Sequence, residues 1–205
     1  MITIPSPSYH AGRLRPIRLI VLHTAQSACT VGAARNIATY LAKPAVKASC
    51  HYVVDPSEVV AQVPEGDTAW CAPGANADGI QVEQAGRAEF TAYEWGSGLC
   101  ELMLRTQLAP LLADICRRHS LPPVWLNALQ VAAGNLGITD HATVNAAFGA
   151  SDHWDCGPDY PAQLVVDMTA RLLGQPVRVN PPQPPNPTNE EDDLGLPPKA
   201  GVGSL

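Results

Sequence analysis

The stretch IRLIVLHTA, residues 17–25, decides how the rest of the chain is read. From Ile17 to Leu22 it carries aliphatic side chains broken only by Arg18. A short apolar run of this kind marks a buried strand. It ends on His23, so an imidazole stands where the strand meets the loop that follows.

Working outward, element types alternate. Residues 31–42 place Ala33, Ile37, Tyr40 and Leu41 at helical spacing, with Thr30 available as a cap and Pro44 as a stop. Residues 49–54 and 59–63 read as two strands joined by the turn-like DPSE, and residues 79–84 as another. The longest helical pattern, residues 97–119, lines up Leu99, Leu102, Leu108, Leu111, Leu112 and Ile115, with Pro110 expected to kink or split it. Residues 129–133 read as a further strand and 161–173 as a closing helix. Strands mixed with helices predict an α/β fold, a central mixed β-sheet flanked by helices.

The end of the chain differs. From Gln175 the text QPVRVNPPQPPNPTNEEDDLGLPPKAGVGSL is rich in Pro, holds an acidic cluster and lacks apolar periodicity. Such a segment does not bury enough apolar surface to offset its ordering entropy. The expected organisation is one catalytic-size domain over residues 1–174 and a disordered, Pro-rich linker or tail over 175–205.

Composition excludes several partners. A net charge of −6 lacks the basic stripe that displaces counterions from nucleic acid, and it disfavours an anionic membrane surface. No apolar run reaches the roughly 18 residues of a membrane span. The N-terminus lacks the order of a signal peptide, because its apolar run follows the arginines and ends in His. Synthesis in a cytosol follows as an expectation. The six cysteines form no C-x-x-C pair, and in that compartment mostly free thiols are expected.

Three histidines sit in suggestive places: His23 in VLHTA, His141 in GITDHATV and His153 in SDHWDCGPD. A lone His is more often a packed or surface residue, since zinc needs three convergent protein ligands. Two at strand ends, with carboxylates nearby, weaken that reading without deciding between it and a metal site.

The ordered motifs resemble the type 2 N-acetylmuramoyl-L-alanine amidases, the group that includes phage endolysins and peptidoglycan recognition proteins. The resemblance rests on IVLHTA, on SCHYVVD (residues 49–55), on VVAQVPEGDTAW, on GIQVEQAG with Asn76 upstream, on GITDH (137–141) and on DCG (155–157). It runs from about Arg18 to Leu173, and HATV…SDHWD looks most like endolysins of phages infecting actinobacteria. It implies a Zn²⁺ held by His23, His141 and Asp155, a general base at Glu83, and His153 stabilising the oxyanion. It implies peptidoglycan as substrate, with His51, Trp70 and Asn76 as candidate substrate contacts, and a monomer working first in a host cytoplasm and then at the cell wall. Trp95 reads as groove or core.

Three departures stand out. The gap from His141 to Asp155 is long, Cys156 replaces the usual Pro, and Cys50 stands where some relatives carry a catalytic Tyr. The third ligand is therefore open between Asp155, Cys156, Asp152 and His153, all types that zinc accepts. A non-catalytic binding module on the same fold is one rival reading. A cysteine peptidase using Cys50 or Cys29 is another, weakened because Cys50 and His51 are strand neighbours facing opposite ways.

Overall fold

The structure, a computed structural model, describes residues 1–176. In chain order the strands and helices are β1 (Ile2–Thr3), β2 (Tyr9–His10), β3 (Leu19–Thr24), α1 (Ala33–Leu41), β4 (Tyr52–Val54), β5 (Val59–Ala61), β6 (Thr68–Ala69) and β7 (Gly79–Gln84). They continue with α2 (Ala92–Trp95), α3 (Gly98–Met103), α4 (Ala109–His119), α5 (Ala128–Ala132), β8 (Gly137–Asp140), α6 (His141–Phe148) and α7 (Ala162–Leu172). Six strands form a mixed sheet in the order β1-β5-β4-β7-β3-β8, in which only β4 and β5 pair antiparallel. The remaining two, β2 and β6, make a small antiparallel ladder. This is the α/β fold that the alternation of elements predicts.

β3 lies between β7 and β8 and is buried along its whole length. Its side chains alternate between two helical layers. Ile20 and Leu22, with Ile80, Val82 and Ile138, enter the large core built with α3, α4 and α7. Leu19 and Val21 face the other way, onto a smaller core with Leu126, Val131 and Val144 of the α5–α6 region. α1 covers β4 and β5 on that second side through Ala34, Ala38, Val53 and Val60. Because β4, β7, β3 and β8 run parallel, their carboxyl ends share one edge. In open α/β sheets that edge is where ligands bind.

Local details depart from the sequence reading in three places. α1 has no side-chain cap from Thr30; Gly32 holds the cap position in the left-handed conformation. The cap comes from across the fold, where Asp55 Oδ2 accepts from Ala34 N–H at 2.9 Å while Oδ1 accepts from Ser57 and Glu58 N–H. Second, the long helical pattern is interrupted just before Pro110, where α3 gives way to α4, rather than at the proline itself. A π turn at Leu104–Leu108 precedes it and Ala109 N–H reaches Leu104 O, widening the helix where the proline ring would meet the carbonyl four residues back. Third, residues 129–132 lie in α5 and Ala133 is its C-cap, so no strand forms there. Asn127 and Gln130 form a capping box that starts a helical turn there. No helix among the described residues is long and apolar enough to cross a membrane. Nearly all of the expected Pro-rich tail lies outside the described residues.

Candidate metal centre

The carboxyl edge gathers His23 from the end of β3, Glu83 from the end of β7 and His141 from the junction of β8 and α6. His23 and Glu83 are register partners across the parallel pair, so strand pairing alone brings them side by side. His141 is fixed differently. Asp140 is the N-cap of α6 and accepts from Thr143 N–H at 2.8 Å, which turns the chain so that the next side chain enters the cleft.

Asp155 arrives from the loop between α6 and α7 and closes the group. Its main-chain carbonyl accepts from Ala142 N–H at 2.7 Å. Gly157 permits this approach, because with φ +95° it packs where any Cβ would run into the Ala88 carbonyl. The long connection from His141 thus folds back, and Asp155, not Cys156 or Asp152, faces the histidines. Cys156 is buried and turned towards Gln84 Nε2, and Asp152 is exposed.

The ligand atoms of His23, His141 and Asp155 all lie within 4.8 Å of one another. Asp155 Oδ2 is 3.3 Å from His23 Nδ1, and Oδ1 is 3.5 Å from His141 Nδ1. Each imidazole is held by its other nitrogen. Gln81 Nε2 donates to Ala75 O, which leaves Gln81 Oε1 to accept from His23 Nε2–H at 2.9 Å. Ser151 Oγ donates to Asn145 Oδ1 and accepts from His141 Nε2–H at 3.3 Å. Both rings therefore present Nδ1 to the same point, the arrangement that outer partners impose on metal-binding histidines. Two imidazoles and one carboxylate suit zinc, with a fourth position left for water or substrate.

The electrostatics agree with a cation site. Burial would raise the Asp155 carboxyl, yet the hydrogen bonds from His141 and His23 hold it well below the usual carboxylate range. Burial lowers His141. It would also lower His23, but Cys71, Asp155 and Glu83 outweigh it and raise that imidazole. A cation would replace the proton on Nδ1. Burial raises Glu83, a carboxyl poised to accept a proton nearer neutral pH. Its Oε2 is buried without a hydrogen-bond partner.

Around these groups the cleft is lined by Gln26, Ile37, Tyr40, Ser49, Cys71 and Trp154, among others. His153 borders it too, stacked on His141 at 4.4 Å with Nδ1 3.3 Å from Asp155 Oδ1. The expected substrate contacts do not gather here. His51 is fully buried outside the cleft lining: its Nδ1 accepts from Gln81 N–H, and Arg13 and the Asp67 carbonyl flank its Nε2. Burial and Arg13 lower it to about 4. Asn76 Oδ1 accepts from Cys71 and Ala72 N–H and shapes that turn. Trp70 is exposed beside the cleft lining, while Trp95 is buried between Phe90 and Tyr160. Sequence reasoning missed Gln81, Ser151, Cys71 and Trp154. For Gln81 a signal exists, since it lies two residues before Glu83 on one strand face. Cys50 packs in the α1 core and Cys29 against the large core, so neither thiol of the peptidase reading lines the cleft.

Residues 13–158 match the N-acetylmuramoyl-L-alanine amidase family, Amidase_2. Among solved structures, Staphylococcus aureus hydrolase AmiA in complex with its ligand has a TM-score of 0.60 at 20% identity, covering 82% of this chain and 81% of that one. The N-acetylmuramoyl-L-alanine amidase LysC from Clostridium intestinale gives 0.53 at 10% identity, over 85% and 97%. A selenomethionine derivative of AmpD gives 0.51 at 18%, over 84% and 93%. At these identities the likeness is one of fold. No curated protein sequence matches the chain.

Proposed function

The chain belongs to the N-acetylmuramoyl-L-alanine amidase family, and from that premise we propose that it is a zinc-dependent enzyme hydrolysing the amide between N-acetylmuramic acid and the L-Ala of peptidoglycan. The observation that carries the zinc is the pair of imidazoles locked by Gln81 and Ser151 with both Nδ1 atoms aimed at Asp155.

His23, His141 and Asp155 would hold the ion. Bound there, zinc would polarise the scissile carbonyl and acidify a water molecule. Glu83, at the cleft wall beside His23, takes the proton of the attacking water and passes it to the leaving amine. Its burial and its orphan Oε2 fit a base that awaits a donor. His153 has Nδ1 turned to Asp155, and as the imidazolium it would donate Nδ1–H there and Nε2–H to the oxyanion of the tetrahedral state. Tyr40 and Trp154 give the cleft an aromatic rim for the stem peptide and sugar.

The wider role proposed is that of an endolysin catalytic domain of a bacteriophage, released from the host cytoplasm onto the wall at lysis. The motif likeness to endolysins of phages infecting actinobacteria supports it. The test has two arms. Purified protein stripped by a chelator, then given zinc, is assayed for new L-Ala amino termini from peptidoglycan, with His141→Ala alongside. Zinc-restored release in the wild type alone is expected. Wall binding without any release would establish the binding-module reading instead. Loss of turbidity when the protein meets actinobacterial walls tests the lytic role.

A further inference from the structure

Among the described residues, ligand-type side chains converge in two groups of three, and both groups contain His23. The first is His23, His141 and Asp155. The second is His23, Cys71 and Glu83, again with ligand atoms within 4.8 Å of one another. His23 has one lone pair to offer, on Nδ1, because Nε2–H is engaged by Gln81. Two cations therefore cannot fill the two sets at once, because both would need that one lone pair.

The second set is built, not incidental. Cys71 Sγ lies 3.7 Å from Glu83 Oε1. The Cys71 turn is pinned by Asn76, which accepts from two successive N–H groups. Glu83 Oε2 is buried with no hydrogen-bond partner, so a carboxylate oxygen stands free beside the thiol. The two sets differ in softness. One offers two imidazoles and a carboxylate; the other replaces an imidazole by sulfur, which favours thiophilic cations.

We propose that His23, Cys71 and Glu83 form a second, competing site for a soft divalent cation such as Cd²⁺, and that its occupation disables the enzyme. On binding, the Cys71 S–H bond breaks, the proton leaves to solvent and a sulfur–metal bond forms. Glu83 becomes a ligand, and zinc loses His23. The disabling effect rests on the assignment of Glu83 as base; the capture of the cation does not.

The experiment titrates metal-free protein with Cd²⁺ and follows thiolate-to-cadmium absorption in the ultraviolet. The band is expected in the wild type and in His141→Ala, and lost in Cys71→Ser and in Cys71→Ala. Zinc-loaded wild type should also release its zinc at a lower Cd²⁺ concentration than zinc-loaded Cys71→Ser. A band that survives both Cys71 variants, cadmium binding without a band in the wild type, or no cadmium binding would each overturn the proposal. Zinc retention by His141→Ala is read separately and bears only on the first set.

Discussion

The two faces of β3 and β7 are one residue apart and built to opposite rules. On one, Ile20, Leu22, Ile80 and Val82 enter an apolar core sealed by α3, α4 and α7. On the other, towards the carboxyl edge, His23, Gln81 and Glu83 are polar groups at or below the surface. The apolar face gains from every atom removed from water. The polar face costs desolvation, which hydrogen bonds offset only in part, as the orphan Oε2 of Glu83 records. Leu19 and Val21 keep the first half of that second face apolar, so the chemistry is confined to its carboxyl-edge half, at His23, Gln81 and Glu83. Substitutions should separate the two properties cleanly.

The largest effect falls on the polar face. Glu83→Gln should lower kcat by about 10²–10⁴-fold, the usual worth of a general base, while zinc content and the unfolding midpoint stay near wild type. Near wild-type turnover would remove Glu83 from the chemistry. On the apolar face, Ile80→Ala should cost about 2–5 kcal/mol by urea unfolding yet leave zinc affinity intact where the variant is folded. If affinity fell in parallel with stability, the two faces would not be independent.

His51 tests the division by pH. Burial, with Arg13 beside it, lowers its folded pKa to about 4, below the ordinary value near 6.5. Above about pH 6.5 the imidazole is neutral in both states and costs nothing. As pH falls below that, the unfolded chain takes up a proton that the folded chain refuses, and stability is lost until about pH 4. The total is about 3 kcal/mol. Unfolding at pH 7 and pH 4.5 should show this loss, and His51→Gln should show less of it. The smallest effects belong to the groups that orient the imidazoles. Gln81→Leu and Ser151→Ala should each weaken zinc binding by about 10–100-fold in competition with a chelating dye, with folding retained. No change in either would mean that the Nδ1 orientation is set by the backbone alone.

Much of this was legible in the sequence where neighbours along the chain decide the outcome. β7 follows the expected residues 79–84, and the apolar run that ends on His23 is a buried strand that continues two residues past its aliphatic part, to Thr24. α7 follows the closing helical pattern. What failed depends on contacts distant in sequence or on caps. The N-terminus of α1 is satisfied by Asp55, 21 residues away from Ala34. Residues 129–133 carry apolar side chains that suit a strand, and the Asn127–Gln130 capping box overrides them. At the site, motif order singled out His23, Glu83, His141, His153 and Asp155, and the fold brings these five to one cleft. Ser151 and Cys71 carry no sequence signal, because a serine in a loop and a cysteine in a turn are common and only the fold aims them. His51 has the opposite fault. Its motif suggests the cleft, but its side chain is buried against the Gln81 backbone and the Asp67 carbonyl.

The central claim is that one zinc ion sits where the two Nδ1 atoms meet Asp155. Anomalous diffraction at the zinc edge, from a crystal grown with one equivalent of zinc, measures this directly. The account predicts a single peak bounded by His23, His141 and Asp155, absent in His141→Ala. A peak between Cys71 and Glu83 in the wild type, or none at either set, would contradict it.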